Sequence, residues 1–428
     1  MSMNRRILNL AIPSIIANIT TPLLGLVDAA VTGHMGSAIY LAAIAVGGIM
    51  FNILYWFFGF LRGGTSGLSA QAYGAKDDRA STLVLYRSLL IGVTAGFSLI
   101  ALQWPIAEGL TWFLKPDPET TLLARRYFSI LIWGAPAMLA TYALSGWFLG
   151  MQNSRMIMWT SMIINVVNIS VSLLLVYGFG MKIEGVAAGT LIAQYSGLVA
   201  ALLFLRGYRR VSVKLPEVLR GGEVKRFFSV NIFLMLRTLC MIAVTLWFTR
   251  AGAVQGAVIL AVNTLLIQLF MLFSYMMDGF AFAGEALAGR YTGANDDKSL
   301  RRCITLLFRW GFAMATIFTA VYFLGGEAFL GLLTSDSGII VASKDYWTWA
   351  VTVPFASFAG FVWDGVYIGT TLTRGLLVTM LFSMAVFFIV ELTLYPLMGN
   401  HALWLAFVLY LLSRGISQYI FFRSHRPL

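Results

Sequence analysis

The chain passes through one apolar stretch after another, each of roughly 20 residues or more, the length needed to cross the hydrocarbon core of a bilayer as a helix. Such windows fall at 7–33, 38–62, 83–105, 125–150, 156–178 and 184–206, and again at 226–250, 254–282, 302–333, 343–369, 375–397 and 401–423. Runs such as Leu8 to Gly33 or Ala257 to Met277 leave no residues for a polar coat, so water cannot be the main solvent. In lipid the backbone must satisfy its own hydrogen bonds, which helices do within one segment. The fold class expected is an all-α membrane protein with twelve transmembrane helices. Composition agrees: 59% of residues are hydrophobic and 11% charged, against roughly a quarter charged in a soluble chain.

The formal charge of +12 does not point to nucleic acid, because the basic residues are scattered between apolar spans and form no stripe with interleaved aromatics. Their placement reads as topology. Arg155, the run from Arg206 to Arg226, Arg290, Lys298, Arg301, Arg302, Arg374 and Arg423 fall on the side shared with the N-terminus. The other side is much poorer, so the positive-inside bias puts both termini in the cytoplasm of a multi-pass inner-membrane protein. Arg5 and Arg6 before an apolar run mimic a signal peptide, yet the run is long, carries Asp28 and lacks a small-residue cleavage site, so it reads as an uncleaved first helix. Cys240 and Cys303, the only cysteines, suit no disulfide framework or metal motif.

A constant offset of 219 residues relates the two halves. Gly74-Ala75, Asp77-Asp78 and Arg79 match Gly293-Ala294, Asp296-Asp297 and Lys298, while Tyr127, Gly146, Gly150 and Arg155 match Tyr346, Gly365, Gly369 and Arg374. Pro136 and Pro354 are one residue out of step. An internal duplication explains a register held this long. The expected domains are lobe 1–206, a basic cytoplasmic linker 207–225, and lobe 226–428. With an even number of helices in each half, the pseudo-two-fold axis runs along the membrane normal, as in parallel-repeat transporters that rock about a central site.

No phosphate-binding loop occurs, and His34, His401 and His425 have no metal-ligand spacing, so nothing points to an enzyme, a metal or a cofactor. The intramembrane ionisable residues carry the information, because such groups are costly in lipid. Asp28 lies in the outer part of the first helix with no neutralising neighbour in sequence, which makes reversible protonation feasible. Asn165, Asn168 and Ser172 on the fifth helix, with Thr190 and Gln194 on the sixth, reach similar depth and can form a polar pocket; the alternative is that Asp28 caps a turn and the amides hold helices together. Pro13 and Pro22 each remove a hydrogen bond from the first helix, offering a bend or an ordinary kink. The second half carries Arg237, Asp278, Glu285 and Asp364, either an ion-pair network or a proton or cation relay, with Glu285 close enough to the surface for solvation. Runs such as Phe270-Met271-Leu272-Phe273 and Met276-Met277 could line a cavity for flat lipophilic cations or simply pack.

Taken together, Ala11-Ile12-Pro13, the run Leu24 to His34 around Asp28, Arg237-Thr238, the run Asp278 to Leu287, and Asp364 to Gly369 resemble the multidrug and toxic compound extrusion (MATE) family in its DinF-type branch. The resemblance implies a V-shaped pair of six-helix lobes that exports cationic, amphipathic small molecules, as a monomer among membrane lipids. Exchange would be for protons, or for sodium ions, without a bound cofactor. Asp28 falls on the coupling acid of such proteins and Pro13 on the bending proline. Many relatives carry an aspartate where this chain has Ser172, which favours a single-proton role for Asp28. An organic-acid exporter using Arg237, or a lipid-linked saccharide flippase, is the alternative within the superfamily.

Overall fold

A computed structural model describes residues 2–33, 38–208, 211–219, 221–333 and 336–425. Its helices are α1 (Met3–Gly33), α2 (Ala38–Phe57), α3 (Phe60–Gly74), α4 (Asp78–Ala101), α5 (Gln103–Leu114), α6 (Pro118–Leu131), α7 (Ala135–Gly150), α8 (Ser154–Leu173) and α9 (Ile183–Leu205). They continue as α10 (Leu215–Val218), α11 (Gly221–Val254), α12 (Ala257–Gly293), α13 (Asp297–Leu333), α14 (Ser337–Lys344), α15 (Trp347–Gly369), α16 (Thr373–Met398) and α17 (Asn400–His425). Every regular element among the described residues is helical. Eleven spans among them are long and apolar enough to cross a membrane. These eleven fall on the windows from 38–62 to 401–423, and α1 covers the remaining window, so the chain is an all-α, multi-pass membrane protein.

Two compact units emerge, one of Ile16–Phe228 and one of Met1–Ile15 with Ser229–Leu428. The start of α1 thus packs with the later residues: the Arg6 guanidinium donates to the Tyr291 hydroxyl at 3.1 Å, and the Trp310 indole donates to Asn4 Oδ1 at 3.3 Å. This partition differs from halves drawn at 1–206 and 226–428, because sequence assigns a helix to its nearest neighbours along the chain. The segment expected as a linker is docked on the unit before it. Arg87 donates from Nε and Nη2 to the carbonyls of Val218 and Glu217 at 2.9 and 3.1 Å, capping the end of α10. Arg79 pairs with the Glu217 carboxylate at 2.7 Å.

The duplication is visible residue by residue. Lys76 and Asn295, at φ 56° and 53°, take the left-handed conformation in one pair of turns, and Gln152 and Thr371, at 62° and 55°, do so in another. Both pairs are 219 apart. Asp77 and Asp296 then cap the following helices by accepting from the backbone N–H three residues on, at 2.8 and 3.0 Å. One pair of close helix crossings repeats as well. A Cβ on Gly150 would stand 2.8 Å from the Ala70 nitrogen, and one on Gly369 would stand 2.7 Å from the Gly289 nitrogen, so α7 closes on α3 in one unit as α15 closes on α12 in the other. Such close approach tolerates only glycine. The one-residue slip at Pro136 and Pro354 coincides with a 3-10 turn, Ile132–Gly134, placed just before α7.

Hydrogen bonds from the Ser299 hydroxyl and then its backbone N–H hold the Asp296 carboxyl below its usual range. A group depressed on folding contributes fully above the ordinary carboxylate range, and the contribution fades as pH falls through the depressed value. Asp296→Ala is therefore expected to lower the melting temperature in detergent at neutral pH, with the difference shrinking only in strong acid. A difference that stayed the same down the acid series would contradict this role for the cap.

Candidate functional site

Of the polar residues singled out on the fifth and sixth spans, Asn168, Ser172 and Thr190 come together inside the Ile16–Phe228 unit, where α8 packs on α9. Asn168 and Ser172 are fully buried and Gln194 is nearly so. The Asn168 amide donates to Thr190 Oγ1 at 2.8 Å, and the Thr190 hydroxyl donates to the Val186 carbonyl at 3.0 Å. Gly189 lets α9 come close here, since a Cβ on it would lie 2.9 Å from the Ser172 Cα. Two buried oxygens at this contact are left without a hydrogen-bond donor, Asn168 Oδ1 and Ser172 Oγ, while the Gln194 side chain turns instead toward Gly134 and Tyr55. Unsatisfied buried acceptors are uncommon and call for a ligand, a proton or a water to complete them. Directly beyond Ser172 the helix widens into a π turn, Leu174–Gly178, a distortion frequent at functional sites.

Asn165 ties α8 to the first helix by donating to the Thr20 carbonyl at 3.2 Å. That contact fixes depth. Spans alternate in direction, so α1 and α8 run the same way. By helical rise Asp28 stands about 12 Å beyond Thr20, and Ser172 about 10 Å beyond Asn165. The helix persists through Pro13 and Pro22, while the side chains of Pro22 and Asp28 lie outside the described residues. His34 lies outside them too.

In the other unit Asp364 is held from three sides. Arg237 of α11 and Arg414 of α17 both donate to its Oδ2, and the Gln418 amide donates to Oδ1 at 2.8 Å. Asp278 is a half-buried acid within electrostatic reach of both guanidinium groups. The expectation of one arginine facing three acids is corrected: a second arginine and an amide complete the cluster. Both come from α17, where Arg414 and Gln418, four apart in an otherwise apolar span, were the signal in the sequence. Glu285 needs correction also. It is 1% exposed rather than solvated, because α12 runs on to Gly293 and carries it against α15, where a Cβ on Gly369 would stand 3.1 Å from the Glu285 carbonyl carbon.

The run in α12 is only partly core, with Phe270, Met271 and Met276 half-buried and Leu272 exposed. Phe273 and Met277 are fully buried, and Phe273 meets Phe318 edge-on at 5.3 Å while Phe270 meets Phe407 at 5.4 Å. Arg237, engaged by Asp364, is not free to receive an organic acid. Among the described residues no group of three or more potential metal ligands occurs.

The sequence profile of the MatE family matches twice, over residues 13–174 and 231–393. DNA damage-inducible protein F of Escherichia coli is 36% identical over 427 residues, which cover 99% of this chain and 93% of that protein. A probable multidrug resistance protein NorM of Photorhabdus laumondii is 23% identical over 79% of this chain and 75% of its own length. Among solved structures, the fold is similar to that of a MOP superfamily transporter from Pyrococcus furiosus described as having a binding pocket of reverse polarity. Its TM-score is 0.89 at 19% identity, covering 99% of this chain and 96% of that one. An outward-facing multidrug resistance MATE family transporter gives a TM-score of 0.87 at 20% identity, with the same coverage.

Proposed function

Since the chain belongs to the MatE family of membrane transporters, matched in both of its repeats, we propose that it exports cationic, amphipathic small molecules across the bacterial inner membrane in exchange for protons. Relatives named for multidrug resistance support the cargo class, and the DinF-type relative of Escherichia coli supports the location. Both termini face the cytoplasm in this reading, and the protein works as a monomer.

The observation that carries the mechanism is the pair of buried oxygens without donors at the α8–α9 contact, Asn168 Oδ1 and Ser172 Oγ. A protonated carboxyl is an O–H donor, an ionised one is not. Asp28, at the same depth as Ser172, supplies the missing donor when it holds a proton and a negative charge for a cationic substrate when it does not. Substrate and proton therefore compete for one cavity, and proton arrival from outside favours release outward by alternating access. Ser172 leaves this pocket with a single acid, too few charged ligands for a sodium cage.

The test is efflux of ethidium from proteoliposomes while the proton and sodium gradients are collapsed separately. Export should stop when the proton gradient is removed and continue when the sodium gradient is removed. The opposite pattern would overturn proton coupling.

A further inference from the structure

The duplication equates the buried face of α8 with that of α16. Ser154, Ile157, Thr160, Asn168 and Ser172 are the buried residues of α8, and the positions 219 further on, Thr373, Leu376, Thr379, Phe387 and Glu391, are all buried in α16. The polar pair of the first repeat, Asn168 and Ser172, thus corresponds to Phe387 and Glu391. An acid stands in the second repeat where the first has a hydroxyl.

Glu391 is 3% exposed, and its Oε2 has no hydrogen-bond partner. Its neighbours along the helix, Phe387, Phe388 and Val390, belong to an apolar cluster. Phe387, one turn before it, lies 6.3 Å from the Tyr410 ring of α17, and Phe388 lies 5.4 Å from the Trp247 ring of α11. Titratable and charged groups on the helices packed around it have business elsewhere. On α17, Arg414 is bound to Asp364 of α15, Tyr410 donates to the Met380 sulfur, and His401 accepts from Trp349. On α11, Arg237 holds Asp364, Arg250 lies over the Trp247 ring at 5.5 Å, and Cys240 is buried as a free thiol. Tyr395 follows one turn later on α16 itself. No ion pair to Glu391 occurs among the described residues.

An ionised carboxylate placed like this in a spanning helix, with no countercharge, costs at least a few kcal/mol. A neutral carboxylic acid avoids that penalty. A metal ion would need several oxygen ligands, and phenylalanines flank the acid instead. We propose that Glu391 is a proton-binding site of the second repeat, separate from Asp28 and from the Asp364 cluster. It lies seven residues before the end of α16, about 10 Å along the helix, close enough to one membrane face for a proton to be exchanged when that end loosens.

This site is independent of the transport reading, and its test needs no substrate. Infrared spectra of the purified full chain in lipid nanodiscs report the C=O band of protonated carboxyl groups. At neutral pH the parent protein should show such a band. Glu391→Gln should lose it, and Asp28→Asn should keep it. A folded Glu391→Gln protein with an unchanged band would overturn the proposal, and so would a parent protein without the band. Should Glu391→Gln fail to fold, carbon-13 labelling of glutamate in Glu285→Gln answers instead. The isotope-shifted band should persist there, and its loss would assign the proton to Glu285 and overturn the proposal.

Discussion

Asp364→Ala is expected to destabilise the protein by roughly 3–5 kcal/mol, the usual penalty for removing one partner of a buried ion pair. The size follows from what stays behind. Arg237 and Arg414 share one carboxylate oxygen, and the Arg414 side chain is 4% exposed. Without Asp364, two guanidinium groups on α11 and α17 repel each other with only half-buried Asp278 to offset them. Gln418 loses its acceptor as well. The measurement is the midpoint of thermal unfolding in detergent.

Adding Arg414→Met to Asp364→Ala should recover part of the loss, since it removes one stranded charge and keeps apolar volume. The departure from additivity then gives the coupling between the two residues. A folded Asp364→Ala protein that melted like the parent would show that the cluster does not lock α11, α15 and α17 together.

Much of the architecture was legible because membrane insertion leaves few options: long apolar windows become helices, and a duplicated sequence repeats its turns. The offset of 219 seen in Gly74-Ala75 and Asp77-Asp78 reappears as matched left-handed residues, Lys76 with Asn295, and matched caps, Asp77 with Asp296. Gly146 and Gly150 were visible as repeated glycines. Their reason, close passage over Thr65 and Ala70 in one unit and over Ala281 and Gly289 at the matching Gly365 and Gly369, required coordinates.

Other features were hidden by the same averaging that finds spans. Arg414, Gln418 and Glu391 sit in windows so apolar that a single polar residue hardly changes their mean hydropathy. Only an individual reading of each intramembrane charge would have found them. The packing of Met1–Ile15 with Ser229–Leu428 was illegible for another reason. An apolar helix surface does not specify which of several apolar neighbours it meets, and only contacts such as Arg6 with Tyr291 settle the choice. The pocket residues Asn168 and Thr190 were legible from polarity and depth, whereas the unpaired state of Asn168 Oδ1 and Ser172 Oγ depends on side-chain geometry.

Asp28→Asn is expected to have the largest effect on activity. Asparagine keeps the donor that the proposed reading assigns to position 28, so the fold should hold. It cannot lose a proton or carry the charge that attracts a cationic substrate. The substituted pocket is fixed in the state that resembles the protonated acid. Binding of the lipophilic cation should weaken, and its residual affinity should no longer vary with pH.

The decisive measurement is proton-driven accumulation of ethidium in inverted membrane vesicles containing equal amounts of inserted parent or Asp28→Asn protein. Parent vesicles should concentrate the dye as long as the proton gradient lasts, and Asp28→Asn vesicles should take up no more than vesicles lacking the protein. Dye accumulation by Asp28→Asn at the parent rate would contradict the account.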